Sequence, residues 1–363
     1  MGCACKQHTH LPTRPTGTII PYPRSLMLNQ RRRTYDPTHT TTLRNRFASE
    51  MNRRFIRLRG LIRRAIVDED CFGLVSEGPR TRITGYASTP GTRAFAFAFE
   101  RSSDKISSFM DWLRQAAQEE ILEFTPSPTR RIGRAIDEAW TDTYIHTAYQ
   151  KGIERGRAEL IGAGYNVADI DDTGGIRSVF NQPVHADRAG VLYTRTFEDL
   201  RGITEQMDGQ ISRVLSQGIL DGKNPRELAR DLTRVISGPV GDLALTDTLG
   251  RFIPAQRRAQ ILARTEIIRA HHMATIQEYE NWGVEGVHVQ AELKTAGDSR
   301  VCPECLNLEG NIYTLEEARN LLPIHPQCRC ICLPTRPTLN QNRRRVMNNV
   351  RQFRQYRRKV YAV

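Results

Sequence analysis

No stretch of this sequence approaches the eighteen or so consecutive apolar residues that a membrane span requires. The opening segment "MGCACKQHTHLPTRP" has no apolar signal core. Lys6 also stands where a myristoylation pattern needs Ser or Thr. Synthesis and retention in a reducing cytoplasm is the expectation. A Gly-rich phosphate loop is missing, and no Ser/His/Asp arrangement stands out, which argues against a nucleotide-cradling enzyme and a triad hydrolase. Acidic residues are absent from 336–363 and number two in 1–66.

Basic residues fill both of those segments. Residues 1–66 carry 14 Lys/Arg and 336–363 carry nine, so the body between them is net acidic although the chain totals +13. Basic ends of this kind suit a polyanion or an acidic partner surface. Hydrophobic content of 39% over 363 residues is enough for a sizeable core and two or three domains.

Residues 1–40, with "LPTRPTGTIIPYPRS", show no period and read as an extended basic arm. From Thr41, the residues Leu43, Phe47, Met51, Phe55, Leu58, Ile62 and Ala65 recur every three or four positions. This marks an amphipathic helix. Arg44, Arg46, Arg53, Arg54, Arg57, Arg59, Arg63 and Arg64 are expected on its other face, and residues 1–66 read as a docking element with too little apolar surface to fold alone. The alternation of Phe95, Phe97 and Phe99 predicts a strand. Further helices are expected over Ser103–Phe124, Thr129–Ile161, Ala189–Leu220 and Ala255–Trp282, with a Gly- and Asp-rich loop over 162–188. "GKNPRELARDLTRVISG" contains a complete helix phrase: Asn224 to cap, Pro225 at the first position, Glu227 to close a capping box and Gly238 to end it. Val287, Val289, Ala291 and Leu293 alternate as a strand, and a short helix is expected near Leu315–Leu322. In the tail, Val346, Val350 and Phe353 sit at helical spacing among arginines.

Cysteine is scarce, with eight in the chain, yet five fall between residues 302 and 332. Cys302 and Cys305 form a Cys-x-x-Cys knuckle, and His325 and Cys328 repeat that spacing. Two such pairs satisfy tetrahedral zinc. Cys330 is an alternate to Cys328, and Cys332 is a weaker candidate. A disulfide framework would need an oxidising compartment. A thioredoxin-like redox pair would need Cys-x-x-Cys at a strand-to-helix junction in a βαβ unit. Unliganded buried cysteines would leave the paired spacing unexplained. A zinc deaminase would need a His/Cys-x-Glu element ahead of the pair, and a ββα-metal nuclease would need more than His325 as an unspent candidate. The zinc is therefore expected to be structural, with no catalytic residue and no enzymatic activity. Cys3, Cys5, His8 and His10 could hold a second metal. The adjacent His271 and His272 face different directions and are expected on the surface.

The stretch from "RTEIIRAHHMATIQEYENWG" through "DSRVCPEC" to "HPQCRC" resembles the Mu F-like phage head morphogenesis family of minor head or minor capsid proteins. The features that carry the resemblance are Arg264-Thr265-Glu266, Tyr279, Gly283, Asp298 to Cys302, Gly310, Tyr313 and His325-Pro326 to Cys330. It implies a virion component near the portal vertex, assembled in the host cytoplasm and acting in head assembly, DNA packaging or ejection. The implied partners are the portal protein and the major capsid or scaffold, with sequence-independent contact to packaged double-stranded DNA and no membrane. Some relatives carry a toxin or enzyme domain after this module. None is expected in the thirty or so residues that follow Cys330. The alternatives are a zinc-containing nucleic-acid-binding protein and a zinc-dependent nuclease.

The expected fold is mainly α, an elongated helical bundle with a small C-terminal α+β zinc-binding module and extended basic termini. The expected divisions are an arm over 1–40, a helical portal- or capsid-interacting region over 41–252, a Mu F-like module over 253–335 and a basic tail over 336–363.

Overall fold

The computed structural model describes residues 36–74, 102–126, 137–238, 253–284 and 289–335. The arm before Asp36, the Cys3/Cys5/His8/His10 group, the Phe95–Phe99 alternation and the tail from 336 lie outside the described residues.

The first helix, α1 (Thr41–Arg63), follows a turn organised by Asp36. The Asp36 carboxylate accepts from the hydroxyls of Thr38 (2.7 Å) and Thr41 (2.6 Å) and from the Thr40 amide (3.1 Å), and it pairs with Arg44 at 2.8 Å. Burial would push that carboxyl up, but Arg44 and the hydroxyl donors outweigh it and hold the group well below the usual carboxylate range. The apolar stripe is fully buried at Phe47, Met51, Phe55, Leu58 and Ile62, and a π-helical turn over Arg64–Asp68 carries Ala65 and Ile66 into the same core. Two expectations need correction here. α1 is an integral core helix, because its stripe packs among the other helices, so 1–66 is not wholly a free docking element. The arginine face is not uniformly presented either. Arg44 and Arg54 are buried, and Arg54 pairs with Glu50 and Glu123 and lies over the Trp140 ring at 4.2 Å.

α2 (Ser102–Glu120) is followed by a two-stranded antiparallel ribbon, β1 (Phe124–Pro126) and β2 (Asp137–Ala139). α3 then begins at Asp142 and runs to Gly162, so the helix expected from Thr129 starts later. The chain before it is committed to the ribbon: the Asp142 carboxylate accepts the Ala139 amide (3.2 Å), and the buried Trp140 indole donates to the Ile121 carbonyl (2.9 Å). The loop expected over 162–188 also contains structure. A 3-10 turn at Asp171–Thr173 and a short helix, α4 (Gly175–Phe180), are joined where Gly174 and Gly175 adopt φ of +86° and +81°, a conformation open to residues without a Cβ. α5 (Pro183–Leu220) starts six residues early because Pro183 suits the first helical position. α6 (Pro225–Ser237) has both halves of the expected capping box between Asn224 and Glu227, and it ends at Gly238.

α7 (Ala255–Val284) is central. Its Ala255, Ala259, Ala263, Ile267, Ala270 and Ala274 join a core shared with α1, α2, α3, α5 and α6, while Ile276 and Tyr279 join a second core with the C-terminal unit. α3 packs most extensively against it. A Cβ at Gly152 would overlap the His271 carbonyl oxygen and lie 2.7 Å from Ala274 Cβ, and one at Gly156 would lie 3.0 Å from Glu278 Cβ. The helices can therefore cross this closely only where α3 has no side chain. His271 and His272, expected on the surface, are each only 3% exposed. Burial holds them down to about 3 and about 4, so both are neutral, and the His272 ring nitrogen Nε2 contacts the Ala318 carbonyl at 2.8 Å.

Where α3, α5 and α7 meet, the fully buried Glu278 carboxylate pairs with Arg157 at 2.5 Å and lies 3.3 Å from His185 Nε2. Arg157 also donates to Thr173 (2.7 Å), which ties the 3-10 turn to the helices. Burial alone would raise the Glu278 carboxyl, but His185 and Arg157 together bring it below its ordinary value.

The C-terminal unit is a three-stranded antiparallel sheet in the order β4 (Ile312–Tyr313), β3 (Gln290–Lys294), β5 (Ile331–Thr335). Leu293 lies opposite Cys332 and Ala291 opposite both Tyr313 and Pro334. The expected alternation holds at Val289, Ala291 and Leu293, all buried. Two short helices, α8 (Pro303–Leu308) and α9 (Leu315–Arg319), fill the connections, and α9 has its own capping box between Thr314 and Glu317. The protein is thus mostly helical with a small sheet near its C-terminal end. Among the described residues, no helix is long and apolar enough to cross a membrane.

Candidate metal centre

Cys302 caps the N-terminus of α8. Pro303 takes the first helical position, and the Cys305 amide points at Cys302 Sγ at 3.4 Å. This local fold turns both knuckle sulfurs to one side. The pair does sit at a helix start, as a redox pair would, but it follows an antiparallel strand, and among the described residues there is no βαβ unit around it. His325 meets the knuckle from the other side, with Nε2 3.2 Å from both Cys302 Sγ and Cys305 Sγ. Its Nδ1–H donates to the Pro326 carbonyl oxygen at 2.8 Å. That bond fixes the tautomer and leaves the Nε2 lone pair facing the sulfurs, as a metal-ligating histidine requires.

The five sequence-selected donors come together as two overlapping groups. Cys302, Cys305 and His325 have ligand atoms within 4.8 Å of one another, and so do Cys305, Cys328 and Cys330. Cys305 belongs to both. Cys328 and Cys330 are 1% and 3% exposed, so the second group is a buried cluster of thiols. Hydrogen bonds from Cys305 and Cys330 draw the Cys328 thiol well below its ordinary range, and the same bond to Cys328 pushes Cys305 up. Cys332 falls in neither group: it lies on β5, where its carbonyl accepts from the Tyr279 hydroxyl at 3.3 Å.

Two supports for this cluster are not evident from metal-ligand spacing alone. Arg329, between Cys328 and Cys330, forms a two-pronged pair with Asp298 at 2.6 and 2.7 Å. That pairing holds the Asp298 carboxyl well below the usual range and joins the bend before the first knuckle to the second. Arg264 donates to the Gln327 side chain (3.1 Å), and the Thr265 hydroxyl accepts the Gln327 amide (3.1 Å). The turn Cys328 N–H to His325 O, with Gln327 at φ +62°, is thereby held against α7. Glu266 completes the Arg-Thr-Glu run, is 2% exposed and pairs with Arg269 at 3.0 Å. The signal available in the sequence was the arginine between two cysteines: in an extended segment its side chain must point away from theirs.

These observations define a class: a helical protein with a cysteine- and histidine-rich α+β unit built onto its longest-buried helix. Residues 209–333, about a third of the chain, match the family described as Phage Mu protein F like protein. Over that stretch, from within α5 to β5, the chain is similar to that family. Neither the curated proteins nor the solved structures contain a match.

Proposed function

We propose that the protein is a structural component of phage head morphogenesis, bound at the portal vertex as a minor capsid protein and acting in head assembly, DNA packaging or ejection. The family match over 209–333 carries this reading. It includes all five clustered donors as well as Arg264 and Thr265, which hold the Gln327 turn. The portal protein is the main partner, with the major capsid or scaffold and packaged DNA as secondary contacts. Quantifying the protein in purified particles tests this. A few to about a dozen copies per virion, co-purifying with portal, is the expected result; absence from the particles would overturn it.

We further propose that Cys302, Cys305, His325 and Cys328 hold a zinc ion, with Cys330 as the alternate ligand. The donor set fits in kind: a Cys-x-x-Cys knuckle, a histidine in the ligating tautomer and two buried thiols within 4.8 Å of Cys305. Bound there, zinc would supply a crosslink between the α8 knuckle and the 325–330 turn. The chain's own residues prepare it: Asp298 with Arg329 and Thr265 with Gln327 hold the two arms in register. A unit of three short strands and two short helices buries little apolar surface of its own, so such a crosslink is a large share of its stability. The helical region over 41–252 and the module over 253–335 are then a scaffold and a stapled cap that share α7.

A further inference from the structure

Tetrahedral zinc takes four donors, and this cluster holds five. The surplus thiol has a distinct placement. Cys328 and Cys330 both lie with Cys305 inside the same 4.8 Å group, and all three are buried. Arg329 between them is anchored at both prongs to Asp298. The backbone carrying the two cysteines is therefore fixed, while both sulfurs converge on one knuckle sulfur.

We infer that Cys328 and Cys330 are interchangeable fourth ligands of a single zinc ion, exchanging on a backbone that Arg329 and Asp298 hold still. This rests on the zinc reading above. With either thiolate as fourth ligand the other would be a neutral thiol, and exchange would pass the proton of the entering thiol to the sulfur it replaces. The charge of the centre is unchanged, so no acid or base from outside is required. Cys305, common to both groups, has no such substitute.

The test uses the full chain in wild-type form and as Cys328→Ser, Cys330→Ser, the double variant and Cys305→Ser. Zinc per chain is measured by elemental analysis and affinity by chelator competition. Cobalt substitution reports the thiolate count through its sulfur-to-metal charge-transfer band, and circular dichroism confirms that the helical body is folded. One of four ligands in a structural zinc site is worth roughly a hundredfold or more in affinity. Each single variant at 328 or 330 should instead keep one equivalent, weaken by less than about tenfold and show the wild-type charge-transfer intensity. The double variant and Cys305→Ser should each lose a hundredfold or more. If one single variant alone loses as much as the double, the ligand is fixed and interchange is overturned. Full retention by the double variant, or two equivalents in the wild type, also overturns it. A wild-type chain that binds no zinc defeats the zinc reading itself, a separate outcome.

Discussion

Replacing Glu278 with Gln tests whether the buried ion pair organises the junction of α3, α5 and α7. The substitution keeps the shape and removes the charge, leaving Arg157 only 4% exposed and with two oxygen partners besides, Thr173 and the Asp169 carbonyl. Removing one partner of a buried pair costs ~3–5 kcal/mol because the other charge is stranded. In a body of this size that lowers the melting temperature by roughly 2–4 °C per kcal/mol, or on the order of 10 °C in all. The effect also has a sign in pH. Glu278 in the folded protein titrates below its ordinary value of 4.5, so the stabilisation is whole above that pH and fades as pH falls through the lower folded value. The variant and the wild type should therefore differ most near neutrality and converge in acid. Pairing Glu278→Gln with Arg157→Met should recover more than half of the loss. Thermal melts followed by circular dichroism at several pH values measure all three. A single variant that melts within about 3 °C of wild type near neutral pH would refute the reasoning.

Other perturbations discriminate among the remaining features. Gly152→Leu should separate α3 from α7 and cost ~3 kcal/mol or more, because the nearest obstacle is backbone; an unchanged denaturant midpoint would show that the helices have room to part. Deleting residues 1–66 should yield insoluble or molten protein, since it removes the fully buried Phe47, Met51, Phe55, Leu58 and Ile62; a soluble remainder with a cooperative melt would contradict this. Cys302→Ser should lose about one equivalent of zinc and loosen the C-terminal unit while α1–α6 persist, as hydrogen exchange resolved by segment would report. Arg329→Gln should weaken zinc binding by ~10–100-fold without changing the ligands, and an unaltered affinity in chelator competition would remove the Asp298 clamp from the account.

The sequence was most informative where one period dominates a long run. The stripe from Phe47 to Ile62, the Asn224 capping box and the alternation through Ala291 and Leu293 are local patterns, and each yielded the element it implied. Errors came where a local pattern met a partner distant in sequence. The start of α3 depends on Trp140 reaching Ile121, and the burial of Arg54 depends on Glu123 and the Trp140 ring. Neither contact has a signature within a short window. His271 and His272 were misplaced because adjacent residues point apart on a helix only in angle; a helix enclosed by two cores can bury both. At the cysteine and histidine cluster, spacing picked out the residues that gather there, whereas the sharing of Cys305 required the third dimension.

α7 runs thirty residues without interruption from Ala255, and no glycine or proline occurs before Gly283. At 1.5 Å per residue it is a rod about 45 Å long. Its first two-thirds, as far as Ala274, pack among the large helices, and Ile276 and Tyr279 in its last third pack with the cysteine-bearing unit, with no joint between them. A push or pull on the sheet is thus delivered axially into the body instead of being absorbed at a linker. Any partner gripping the small unit holds the whole protein by a stiff handle.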